Sequence, residues 1–252
     1  MTTVSQALRL AVLIDADNAS ARIADKLFEE IAKIGEASVR RIYGDFSTGR
    51  LKSWADILQT HAIIPQQNFA YTAGKNASDI ALVIDAMDLL HSGRFDGFCL
   101  VSSDSDFTRL AARIREQGFD VYGFGEQKTP ASFRQACKRF IYTENLTPEA
   151  PTAAEPDKPD QRSQSEVQQP SAAVPRLRNA VAQLADDEGW VTLGAVGTRL
   201  AALYPDFDPR SYGSAKLREL VEKTGMFELK QGNGSAILVR FRPHDERTGK
   251  AK

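Results

Sequence analysis

The chain has 252 residues, 42% of them hydrophobic and 26% charged, with a formal net charge of −1. This is ordinary globular composition, long enough for one large core or two smaller ones, and it excludes a fibrous or wholly disordered chain. The near-neutral total hides an asymmetry, because residues 176–252 carry 13 Lys/Arg against 10 Asp/Glu while residues 1–175 carry 19 against 23, a mildly basic C-terminal part that permits a nucleic-acid partner without proving one.

In chain order, the N-terminal "MTTVSQALRLAVLIDADN" lacks a basic leader and a small-residue cleavage site. Its apolar run is cut at Asp15, far short of a membrane span, so a cytoplasmic protein without membrane contact is expected. "RLAVLID" reads as a strand, "SARIADKLFEEIAKIG" as a helix stopped by Gly35, "ASVRRIYGD" as a strand and "RLKSWADILQTHA" as a helix. "AIIPQQ" follows as a short strand, then "SDIALVIDAMDLLHSG" as a helix capped by Ser78 and ended by Gly93. "DGFCLVSSD" and "DVYGFG" are strands, with "FTRLAARIREQG" and "ASFRQACKRF" as the helices after them. Near-continuous apolar strands alternating with helices predict an α/β domain, a Rossmann-like, mostly parallel sheet with helices on both faces. Cys99 and Cys137 lie in apolar runs with no metal-ligand spacing, so buried thiols in a reducing compartment are expected.

From Pro148 to Pro175 the chain holds six prolines and no aromatic residue, a composition that cannot bury enough surface to order itself. This predicts a domain over residues 1–147, a disordered linker over 148–175, a second domain over 176–243 and a flexible tail over 244–252. The second domain reads as "RLRNAVAQLADDEG" helix, "WVTL" strand, "GAVGTRLAALYP" helix, "DPRSYGSAKLRELVEKTG" helix, and two strands joined at Gly232-Asn233-Gly234. Three helices followed by a β-hairpin is winged-helix order.

The chemistry gathers where strands run into helices. In an open parallel sheet ligands sit beyond the carboxyl ends of the strands. Asp15 follows one apolar run and Asp104 another, with Asp17, Asn18 and Asp106 close by, and Asp79 opens a helix that starts on the same edge. Three segments would then bring carboxylates together, and such crowding without opposing cations is costly. A hard divalent cation, Mg²⁺ or Mn²⁺, relieves it and suits phosphoryl chemistry. The bland reading of each aspartate alone is a helix N-cap. Asp85 and Asp88 lie roughly 120° and 180° around the helix from Asp79. Asp88 reads as a solvated charge, whereas Asp85, inside the apolar "LVIDAM", stays a secondary site candidate.

Weaker signals surround these. "AGKNAS" fails as a phosphate-cradling loop because Phe69 and Asn76 stand where Gly and Ser/Thr are required. Lys75 remains as a substrate-phosphate contact or an ordinary surface lysine. "YGFGEQKTP" reads as a flexible substrate loop or merely a turn. His61, His91 and His244 have no partner spacing.

Three separated motifs, "LIDADN", "KNASDIALVIDAMDLL" and "LVSSDSDFTRLAARIREQGFDVYGFGEQKTPASFRQACKRFIY", together resemble the NYN domain of the PIN-like nucleases, with LabA-like proteins as bacterial relatives. The resemblance implies an acidic, Mg²⁺- or Mn²⁺-dependent site that cuts RNA, with Asp15, Asp79, Asp104 and Asp106 as metal-binding, catalytic acids and Asn18 and Ser103 beside them. Where the family often has Ser-Gly-Asp-Ser-Asp, this chain has Ser102-Ser103-Asp104-Ser105-Asp106. "GWVTLGAVGTRLAALYPDFDPRSYGSAKLRELVEKTGMFEL" is similar to the OST-HTH or LOTUS domain, which implies a winged helix that binds RNA or, in some relatives, protein. Arg210, Lys216, Arg218, Lys230, Arg240 and Arg242 would then contact phosphate and Tyr212 would stack, or these are a solvated face and a core tyrosine.

The expected function is a metal-dependent ribonuclease whose tethered winged helix holds RNA near the cleaving site, with a homodimer compatible but unspecified. The alternative from another class is a non-cleaving RNA-binding regulatory protein. A third reading, a haloacid-dehalogenase-like phosphatase with Asp15 and Asp17 as its acid pair, fits poorly because Ala19 stands where Thr or Val is usual.

Overall fold

In the computed structural model, which describes residues 7–47, 49–68, 77–146, 167–232 and 234–242, the apolar runs of the first part form a six-stranded parallel sheet. The chain divides into two units at residues 165 and 166. The first runs β1 (Leu8–Asp15), α1 (Ala24–Ala32), β2 (Gly35–Gly44), α2 (Lys52–Ala55), β3 (Ile64–Gln67), α3 (Ala77–His91), β4 (Gly97–Val101), α4 (Thr108–Glu116), β5 (Asp120–Gly125), α5 (Ala131–Ala136) and β6 (Arg139–Tyr142). The strand order is β3-β2-β1-β4-β5-β6, so the direction of winding reverses between β1 and β4. In such a sheet the crevice at that reversal is where ligands bind.

Alternation along the central strands sends side chains to two cores. Ala11 and Leu13 of β1, with Phe98 and Leu100 of β4, pack beneath Leu82, Ala86 and Leu89 of α3 and Leu110 and Ile114 of α4. Leu10, Val12 and Ile14, with Cys99 and Val101, pack on the opposite face with Leu27 and Ile31 of α1 and with Trp54. Burying a side chain such as Leu27 contributes about 1.5–3 kcal/mol, and two such layers hold the sheet. Because parity fixes the face, the residues that end these strands inherit it.

Several details differ from the sequence reading. Gly35 opens β2 rather than merely stopping α1, since a Cβ there would stand 2.3 Å from the Leu8 carbonyl oxygen at the β1–β2 contact. The expected helix after residue 50 shrinks to Lys52–Ala55 followed by turns. The last helix ends at Ala136, and Arg139–Tyr142 becomes the edge strand β6, a four-residue run too short to show a period of its own.

The second unit holds a 3₁₀ helix at Pro170–Ala173, α6 (Val174–Ala182), β7 (Val191–Thr192), α7 (Leu193–Leu203), a 3₁₀ helix at Pro209–Tyr212, α8 (Leu217–Thr224), β8 (Phe227–Gln231) and β9 (Ile237–Phe241). Its antiparallel sheet has the order β7-β9-β8. The last part of the segment read as linker is structured, because Ala173 is buried against Leu177 and the rest of this core. The third expected helix is broken in two. Gly213 takes a left-handed φ of 67° and Lys216 is extended, so Pro209–Tyr212 and α8 are separate pieces. Among the described residues no helix is long and apolar enough to cross a membrane.

Candidate active site

The β1–β4 register pairs Ile14 with Val101, and one step further Asp15 lies alongside Ser102. By alternation both fall on the face covered by α3. Asp15 is only 1% exposed, and its carboxylate accepts three hydrogen bonds. The Ser102 hydroxyl and the Asn18 amide donate to Oδ2 at 2.7 and 2.8 Å, and the Asp17 N–H donates to Oδ1 at 3.1 Å. Burial pushes this carboxyl above the ordinary aspartate range, while those three hydrogen bonds pull it back.

Asp104 begins the turn after β4. Its Oδ1 accepts the Asp106 N–H at 2.9 Å as the cap of a 3₁₀ turn, and its own N–H donates to Ser102 Oγ at 3.0 Å. Ser102 therefore links the two acids. Asp104 does cap a helix, so the bland reading of that residue is realised together with its place at the edge. Ser103 has the opposite parity and accepts the Glu126 N–H at 2.8 Å, tying the loop after β5 instead of touching an acid.

Asp79, in the first turn of α3, reports the gathering. Its pKa is pushed up to about 6, first by partial burial and then by the charges of Asp15, Asp104, Asp106 and Asp17. These strongest neighbours are all carboxylates. Beside Asp79 and Asp106 lies an apolar hollow of about 240 Å³ lined by Ile80, Val83, Ile84 and Phe107. Ile80 and Ile84 are 60% and 56% exposed, an unusual display for such side chains.

Two expectations need correction here. Asp85 takes no part in the acidic edge: its Oδ2 meets Arg41 Nη1 at 2.8 Å and the Tyr43 hydroxyl at 2.8 Å, a local ion pair that ties α3 to β2. The glycines of "YGFG" are not flexible loop residues either. Gly123 and Gly125 are buried in β5, where a Cβ on Gly123 would meet Phe140 at 2.5 Å and one on Gly125 the Ser102 carbonyl oxygen at 2.5 Å. Lys75 lies outside the described residues.

The acids offer carboxylate oxygens, which suit a hard cation such as Mg²⁺ or Mn²⁺. The repulsion on Asp79 is what a bound cation would remove. Among the described residues no three His, Cys, Asp or Glu side chains stand close enough to chelate one ion by themselves.

In the second unit the expected RNA contacts separate. Tyr212 is 4% exposed and packs on Phe207, so it is a core residue and presents no stacking face. Arg210 is bound through Nε and Nη2 to Asp208, and Arg218 pairs with Glu222 at 2.8 Å. Lys216 is exposed at the start of α8 and Arg242 is exposed just after β9. Lys230 and Arg240 instead flank an aromatic residue that the sequence reading passed over, Trp190, at 3.9 and 4.6 Å from its ring centroid.

The parallel sheet with its β1/β4 reversal is that of the NYN domain, a nuclease-like fold. Residues 9–145 match the NYN domain, of the PIN-like nuclease superfamily, and the chain belongs to that family. Residues 169–239 match the OST-HTH/LOTUS domain, a kind of domain associated with RNA binding. No curated protein matches the chain. Among solved structures it is similar to a Vibrio parahaemolyticus protein of unknown function, 16% identical over 56% of this chain and 96% of that one, with a TM-score of 0.47. It is also similar to an uncharacterized Nitrosomonas europaea protein solved by NMR, 29% identical over 37% of this chain and 92% of that one, with a TM-score of 0.27.

Proposed function

We propose that the protein is a metal-dependent ribonuclease acting in the cytoplasm, with an RNA-binding winged-helix domain. The observation that carries this reading is the Ser102 link that holds Asp15 and Asp104 together at the sheet's reversal point, with Asp79 close enough to feel both charges. Asp15, Asp79, Asp104 and Asp106 would hold Mg²⁺ or Mn²⁺. When bound there, the ion supplies charge neutralisation and an activated water for attack at phosphorus.

The chain's own residues do the rest. Ser102 and Asn18 fix the Asp15 carboxylate in one orientation, and Ser102 holds the Asp104 backbone beside it. Pre-orientation of this kind removes reorganisation from the reacting state. The hollow of Ile80, Val83, Ile84 and Phe107 offers the sugar or base next to the cleaved bond a dry contact. The alternative, an RNA-binding regulator that does not cut, is supported by the OST-HTH/LOTUS match, a domain associated with RNA binding that needs no cleavage to act.

The test incubates full-length protein and Asp104→Asn with labelled RNA in Mg²⁺, Mn²⁺ or EDTA. Cleavage that requires metal and is lost in the variant is the expected result. RNA left whole by both proteins, yet retarded by both on a gel, would select the regulator.

A further inference from the structure

The outer face of the small antiparallel sheet carries a built arrangement. Val239 and Phe227 point into the core, so alternation turns Lys230, Glu228, Leu238, Arg240 and Arg242 outward. Val191 pairs with Val239, which puts Trp190 opposite Arg240 on the same outer face.

Trp190 is mounted rigidly. The Asp186 carboxylate accepts the N–H groups of Glu188 and Trp190 at 3.0 and 2.8 Å, and the Asp186 N–H donates to the Trp190 carbonyl oxygen at 3.0 Å. Gly189 makes this loop possible at φ 82°, and a Cβ there would stand 3.2 Å from Arg240 Cδ. The indole is half-buried, with the Lys230 ammonium and the Arg240 guanidinium over it. Glu228 neutralises Arg240 at 2.7 Å, whereas Lys230 has no ion-pair partner among the described residues. Glu228 is the one acid among the outward residues of β8 and β9, so the face keeps a positive balance beside its aromatic ring.

A fixed aromatic surface edged by cations is what a single-stranded nucleic acid requires: a π face for a base and charge for the flanking phosphates. An acidic peptide would use the cations and leave the ring idle. We infer that Trp190 with Lys230 and Arg240 is the single-stranded RNA contact of the winged-helix domain, one base stacking on the indole after Lys230 swings to the adjacent phosphate. The RNA path then crosses the outer sheet face and not α8, where Arg218 is paired with Glu222. This rests on the RNA-binding reading proposed above.

The chain has two tryptophans, and Trp54 is buried in the other unit with its Nε1 donating to the Ala19 carbonyl oxygen at 2.8 Å. Fluorine NMR of the full chain labelled with fluorotryptophan therefore gives one resonance for each. The titrant is a uridine oligoribonucleotide in EDTA, with a poly-glutamate peptide and an RNA duplex as parallel arms. The Trp190 resonance should move with the oligonucleotide while that of Trp54 stays. Trp190→Ala should weaken binding roughly tenfold, and Trp190→Phe should restore most of it. Lys230→Gln should lower the salt dependence by about 0.7 in logarithmic slope. If the oligonucleotide binds and neither the Trp190 resonance nor the Trp190→Ala affinity changes, the inference fails and the RNA-binding reading stands. If the duplex moves Trp190 and the single strand does not, the inference fails and the RNA-binding reading stands; if no RNA binds at all, or only the peptide moves Trp190, the RNA-binding reading fails with it.

Discussion

Asp79 and Asp85 stand six residues apart on α3, yet they belong to opposite kinds of site. Asp85 is answered by a guanidinium and a phenol at 2.8 Å each. Asp79 is faced most strongly by other carboxylates, and its proton is held up to about 6. A structural carboxylate brings its own counter-charge from the chain, whereas a crowded one is the kind of group a bound cation would relieve. Exposure does not distinguish them, since both are half-buried. What differs is the strand each one faces: β2 offers Arg41 and Tyr43, and the β1/β4 edge offers Asp15 and Asp104.

The largest effect that separates the two regions is on cleavage. Asp104→Asn should lower the rate on RNA by more than about a hundredfold, because outer-shell changes at metal sites already cost 10–100-fold and this removes a proposed ligand. Thermal melts should show the variant folded. Asp85→Ala should do the reverse, leaving cleavage within about twofold while lowering stability by about 2 kcal/mol, since Arg41 and the Tyr43 hydroxyl lose their partner. Denaturant unfolding reads that difference, and an intact melting point would remove Asp85 from its structural role.

Ser102→Ala should cost roughly tenfold in cleavage, by freeing the Asp15 carboxylate and the Asp104 N–H. Ser103→Ala, whose hydroxyl serves the loop after β5, should cost much less. Equal losses in the two variants would refute the division of labour between these serines.

The smallest effect concerns pH. Asp79 binds its proton more tightly folded than unfolded, so its contribution to stability is complete below about pH 4 and is lost as pH rises through about 6. In EDTA, Asp79→Asn should therefore be more stable than the parent by about 1 kcal/mol at pH 7.5, a figure reduced for solvent screening of a half-exposed group. The gain should vanish toward pH 4. Added Mg²⁺ should raise the melting point of the parent more than that of the variant.

Much of this molecule follows from local pattern. Continuous apolar runs bounded by helices required a two-sided parallel sheet, and aspartates at strand ends fell on its carboxyl edge whatever the strand order. The motifs of both domains are contiguous stretches, so they are legible without any contact map. Burial of Tyr212 was not legible, because an aromatic residue in a turn looks the same whether it stacks on a ligand or on Phe207. Trp190 was missed for a related reason: its cations lie 40 and 50 residues further on, and only strand pairing brings them over its ring.

The sequence by itself determined which segments would be strands and helices and which residues would carry charge to the sheet edge, since side-chain period and chain direction are local properties. Tertiary structure alone decided that Ser102 and not Ser103 holds Asp15, that Asp85 is answered by Arg41 and Tyr43 while Asp79 is set among carboxylates, and that β6 forms the sheet's edge. A strand buried on both faces shows no alternation of polarity from which to read its parity, and an ion pair 44 residues apart exists only once register has been set.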